Sequence, residues 1–205
     1  MPPAFNAPFV LSVVGAFLTS SVVAYIYVWP AVRGMQRYDA LRLLAAFHAF
    51  RFLGMNFLVA GFVSPELSSD FANKIGWGDL IAAVLALLSM AALSWRWSVA
   101  IPIVWIFNIS GTLDLLNAYY MGVTKIGDPS LFGAGIYIPA LYVPFLLVSH
   151  MLIFMTLLRA RSAEEKLGLD AMSIWTAQCY PRLQLKSVPG HQEAWQSPHR
   201  HGRSS

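Results

Sequence analysis

Charge is almost absent from five long stretches of this chain and gathers in the short segments between them. The apolar runs are Phe9 to Trp29, Leu41 to Val63, Leu80 to Leu93, Val99 to Met121 and Ile136 to Leu158. Most approach the roughly 20 residues that a helix needs to cross about 30 Å of hydrocarbon. Charged residues make up 12% of the 205-residue chain, about half the share of an ordinary soluble domain. A single aqueous core cannot hide that much apolar side chain, whereas a bilayer accepts it on the outside of each helix. The expected fold is therefore an all-α integral membrane bundle of about five transmembrane helices, spanning residues 1–161.

Basic residues alternate along the connectors. Arg33, Arg37 and Arg42 flank the first, Arg96 lies in the third, and Arg159, Arg161 and Lys166 follow the fifth run. The second and fourth connectors carry only Lys74 and Lys125. The positive-inside rule then puts the N-terminus outside and the C-terminus in the cytoplasm. The opening MPPAFNAPFV has no Lys or Arg before its apolar run, so it reads as a retained span rather than a signal peptide. The net charge of +4 does not imply nucleic acid, because the cations sit at run ends and not along one face. Residues 162–205 are rich in Gln, Ser, Pro, His and Arg after Pro181 and read as a largely disordered cytoplasmic tail. That tail holds the lone Cys179, which excludes an intrachain disulfide, and His191, His199 and His201, read as solvated.

Polar residues inside apolar runs are expensive and mark candidate sites. The second run holds His48, Arg51 and Asn56, with His48 and Arg51 three apart on one helix face. Arg51 is too central to reach either interface, so it requires an anion. The fourth run offers one at Asp114, within a stripe of Ser110, Asp114 and Asn117, beside a second stripe of Asn108 and Thr112 around Gly111. A buried Arg51–Asp114 pair is expected. The fifth run adds Pro139, Pro144, Ser149 and His150, whose prolines free backbone carbonyls. Asp79, at the expected outer start of the third run, reads as a helix cap. No Walker loop, HExxH, nucleophile elbow or CxxC is present.

The segments HAFRFLG, NISGTLDLLNAYYMG and IPALYVPFLLVSH resemble a group of bacterial integral membrane proteins of about this length with no assigned activity. The resemblance covers about Leu41 to Leu158 and implies a multi-pass location in the bacterial cytoplasmic membrane. It implies no reaction.

Three functions follow from the residues. The leading one is a polar cavity between the second, fourth and fifth spans, with His48, Arg51, Asn56, Asn108, Asp114, Asn117 and His150 binding a small molecule or relaying a proton. The second is a haem b protein with His48 and His150, expected at similar depth, as axial ligands. The third is an assembly subunit of a membrane complex, with the polar residues serving only to register helices. Spans one and three are expected to face lipid.

Overall fold

The computed structural model describes residues 7–159. The expectations for the tail, including its disorder, Cys179 and its histidines, fall outside these residues. The described chain is helical and contains no strand. Helix α1 runs Ala7–Gly34 with a π-helical turn at Ala24–Val28. Helix α2 is Arg37–Ala46 and passes directly into a 3₁₀ helix, Phe47–Leu58. Helix α3 is Ser69–Ser94 and α4 is Ala100–Met121, which continues through a π-helical turn at Gly122–Ile126. A short 3₁₀ segment, Pro129–Ile136, leads to α5, Ile138–Arg159, which opens with another π-helical turn.

Four of these helices are long and apolar enough to cross a membrane: α1, α3, α4 with its extension, and α5. The second apolar run differs from expectation. It is not one α-helix but α2 followed by twelve residues of 3₁₀ helix, a geometry that rarely persists beyond one turn. The reason lies in which residues are buried. Within the 3₁₀ stretch they are His48, Arg51, Gly54 and Phe57, spaced every three. A 3₁₀ helix stacks such residues in line. In an α-helix the nine steps from His48 to Phe57 would fall about half a revolution short of three full turns and send Phe57 to the opposite face.

Helix α2 and the 3₁₀ stretch run antiparallel along α3. Arg42 Nη1 donates to Ser94 Oγ at 3.5 Å at one end, and Leu58 packs beside Gly76 toward the other. The connectors cluster in two groups. Arg96 Nη2 reaches Gln36 Oε1 at 3.4 Å, and Arg159 Nη1 reaches the Arg33 carbonyl at 3.2 Å. At the other end, Ser64 N–H donates to the Leu131 carbonyl at 3.0 Å, and Ala134 N–H to the Phe62 carbonyl at 3.1 Å. The turn there closes through Gly133 at φ +51°, where a Cβ would press on the Phe62 carbonyl. This left-handed backbone suits glycine.

The interior is layered. A cluster built on Leu41, Leu44, Ala86, Val104, Phe107 and Ile153 fills the arginine-rich end. Phe57, Phe71, Met121 and Phe132 fill the other. The buried charges lie between these layers. Large apolar side chains such as Leu18, Ile81, Ile106, Leu113 and Leu141 face outward, as lipid-facing helices require. Helix α3 is not the peripheral support expected of it. It buries Ala82, Ala83, Ala86, Ser89 and Ala92 in the centre of the bundle.

Candidate intramembrane charge site

Arg51 has no solvent-exposed surface. Its Nη2 lies 2.5 Å from Asp114 Oδ2 and 2.7 Å from Asp79 Oδ1, while Nε donates to Asp79 Oδ1 at 2.8 Å. Nη1 donates to the Gly111 carbonyl at 3.2 Å. One guanidinium therefore joins the 3₁₀ helix to α3 and α4 at a single level. The planar fork of arginine suits this bridging, where an ammonium would offer only a point charge.

Glycines make the approach possible. A Cβ on Gly54 would strike the carboxylate of Asp79, and one on Gly78 would strike that of Asp114. A Cβ on Gly111 would sit 2.9 Å from His150 Nε2 and 3.0 Å from Arg51 Nη1. Each charged group thus sits on a neighbouring backbone that only glycine leaves bare.

The histidines lie on the side of Arg51 away from Asp114's pocket. Their rings touch, with centroids 4.0 Å apart, and both rings pack on Phe107. Asn108 Nδ2 donates to the His150 carbonyl at 3.3 Å, which turns Asn108 Oδ1 toward His150 Nδ1 at 2.7 Å. That oxygen can only accept, so His150 carries its proton on Nδ1 and presents a lone pair at Nε2. His48 Nε2 pairs with Ser149 Oγ at 3.2 Å. His48 Nδ1 and His150 Nε2 are buried without hydrogen-bond partners. Bis-histidine ligation places the iron and its flat macrocycle between the two rings, and rings in direct contact leave no such gap. No group of three or more metal-ligating side chains occurs among the described residues.

The arrangement revises several sequence expectations. Asp79 is not a cap, because α3 begins ten residues earlier, at Ser69. It is instead the second counter-charge of Arg51. The Ser110–Asp114–Asn117 stripe does not enter the interior as a unit. Ser110 and Asn117 are exposed, and Asn117 Nδ2 reaches only Met121 Sδ, at 3.6 Å. Gly111 and Asn108 form the buried edge of α4 in their place. Asn56 is half-buried one position from the core-facing row of the 3₁₀ helix. The polar interior includes α3, not only the second, fourth and fifth spans.

Asp114 faces two ways. Its carboxylate binds Arg51, yet its side chain remains 30% exposed against 9% for Asp79. Both aspartates line a pocket, open on one side, that is walled by Phe57, Phe71, Tyr119, Phe132 and Val143. Tyr119 Oη donates at 2.7 Å to the carbonyl of Pro139, in the π-helical opening of α5. Asp128 stands at the mouth, where the Ser130 backbone N–H at 2.9 Å holds its carboxyl below the usual range.

Fold and site together define an all-helical protein with several helices able to cross a membrane and an arginine–carboxylate cluster within the bundle. The chain belongs to a family described as a domain of unknown function (DUF8737), whose model matches residues 8–158. No curated protein and no solved structure matches it.

Proposed function

We propose that this is a five-span protein of the bacterial cytoplasmic membrane that binds a small molecule in the pocket above Arg51. The fifth crossing is α2 with its 3₁₀ extension. Together they extend about 39 Å at standard rises, more than the hydrocarbon thickness. They lie beside α3 from Ser94 to Gly76, about 27 Å of that helix. The two groups of connectors support the alternating topology, since Arg33, Gln36, Arg96 and Arg159 gather at one end.

One observation carries the functional reading. A fully enclosed arginine holds two carboxyl groups, and one of them, Asp114, stays partly open to an apolar pocket. A cluster serving only to register helices gains nothing from exposing a charge to a cavity, because closing the pocket would strengthen the pair. Ligand sites combine apolar walls with a few convergent polar groups in this way.

The test is mass analysis of small molecules retained by the gently purified protein, with Gly122→Phe as the comparison. Gly122 lines the pocket and has open space where its Cβ would lie, so this change fills the cavity without disturbing the charges. A compound retained by the wild type and absent from the variant supports binding. Identical retained compounds in both proteins contradict it. An optical spectrum of the same samples addresses haem directly, and no Soret band is expected.

A further inference from the structure

We propose that the pocket above Arg51 selects a monovalent organic cation with an apolar, preferably aromatic, body, whose charge lies against Asp114. This deepens the binding reading and rests on it.

The charged groups lining the pocket are all carboxylates: Asp79 and Asp114 at the floor and Asp128 at the mouth. Arg51 lies behind the floor and is not part of the wall. One guanidinium set against two floor carboxyl groups leaves one negative charge when both ionise. An excess charge in a low-dielectric interior is strongly unfavourable. A cation entering the pocket supplies the missing charge within reach of the only floor carboxylate that is substantially exposed. An anion would face three carboxylates, and a neutral ligand would leave the imbalance in place.

The walls narrow the class further. Phe9, Phe57, Phe71, Phe132 and Tyr119 surround the space, and aromatic faces attract cations, most strongly where water is excluded. A bare divalent metal is a poor occupant. Calcium and magnesium require six or more oxygen ligands, whereas this lining is dominated by carbon, and no metal-ligating cluster exists among the described residues. A cation that carries its own apolar body matches both the floor and the walls.

The experiment uses two probes of matched shape and opposite charge, tetraphenylphosphonium and tetraphenylborate, with the full-length protein in detergent. Equilibrium dialysis would be run on wild type, Asp114→Asn and Gly122→Phe. Saturable phosphonium binding is expected in the wild type, at least ten-fold weaker in Asp114→Asn and abolished in Gly122→Phe, with no saturable borate binding. If Asp114→Asn does not fold, Asp128→Asn replaces it, because Asp128 is exposed and its removal leaves the Arg51 cluster intact. That variant should weaken phosphonium binding by two- to three-fold at low salt. Borate binding that Gly122→Phe abolishes would overturn the cation class while leaving the pocket as a binding site. Binding of neither probe, or phosphonium binding untouched by Gly122→Phe, would overturn both.

Discussion

Asp79 lies ten residues inside α3, and its Oδ1 accepts from both Nε and Nη2 of Arg51, at 2.8 Å and 2.7 Å. This bond fixes the 3₁₀ helix against α3 at the layer where the two apolar clusters meet. The stability of that layer follows from unequal burial. Removing one member of a buried ion pair costs about 3–5 kcal/mol because the survivor is left uncompensated. Arg51→Met strands two carboxyl groups and should fall at the top of that range. Asp79→Asn should come next, and Asp114→Asn should cost least because its side chain is the most exposed of the three. Thermal unfolding in detergent would establish the order. A larger loss from Asp114→Asn than from Asp79→Asn would show that the pocket-facing carboxylate, not the buried one, anchors the guanidinium.

The glycines predict a second series. Gly111→Ala places a methyl group 2.8–3.0 Å from His150 and Arg51, both enclosed and unable to move freely. Overpacking of this kind typically costs about 1–3 kcal/mol. Gly15→Ala meets nothing within 4 Å on α1, and alanine is the better helix former by up to about 1 kcal/mol. The same unfolding measurement should therefore show loss at Gly111 and no loss at Gly15.

The Asn108–His150 pair predicts a spectroscopic state. With Asn108 turned by its bond to the His150 carbonyl, the imidazole proton belongs on Nδ1. Nitrogen chemical shifts of labelled histidine should report the Nδ1–H tautomer for His150. Asn108→Leu removes both bonds and should cost about 1–3 kcal/mol, since buried polar groups lose their partners. It should also release the tautomer preference. An unchanged His150 signal in that variant would mean that another group sets the proton.

Much of this interior was legible in the sequence, and the misreadings have physical causes. Arg51 announced the need for an anion by its depth, and Asp114, the acid within the fourth run's polar stripe, was identifiable as one partner. Asp79 reads as a cap in the sequence because the third apolar run, Leu80 to Leu93, places it at the helix start, whereas the helix begins at Ser69. At 14 residues that run is too short to cross a bilayer, and this shortfall was the available signal that the helix starts upstream and carries Asp79 inside. The Ser110–Asp114–Asn117 stripe misled because steps of three and four define a helix face without saying which face is buried. The buried edge of α4 instead runs through Asn108 and Gly111, where His150 and Arg51 approach a backbone without a side chain. The 3₁₀ stretch left a trace in the three-residue spacing of His48, Arg51, Gly54 and Phe57, but that spacing becomes decisive only after burial is known.

The topology gives the last prediction. If α2 and the 3₁₀ helix cross the membrane together, Gln36 and Glu66 lie on opposite sides, and Ser98 and Lys125 repeat that alternation. All four positions are exposed, so cysteines there can be labelled without unfolding the bundle. In a Cys179→Ser background, a membrane-impermeant maleimide applied to intact cells with a permeable outer layer should label Glu66→Cys and Lys125→Cys. Gln36→Cys and Ser98→Cys should react only after the inner membrane is opened. The direction follows from the arginines gathered at the Gln36 end, which the positive-inside rule assigns to the cytoplasm. Labelling of Gln36→Cys and Glu66→Cys from the same side would remove the fifth crossing. Arg51 would then belong to a segment that enters and leaves by one face, and the pocket would need a different relation to the bilayer. Labelling of all four in reversed order would keep five crossings and overturn only the orientation.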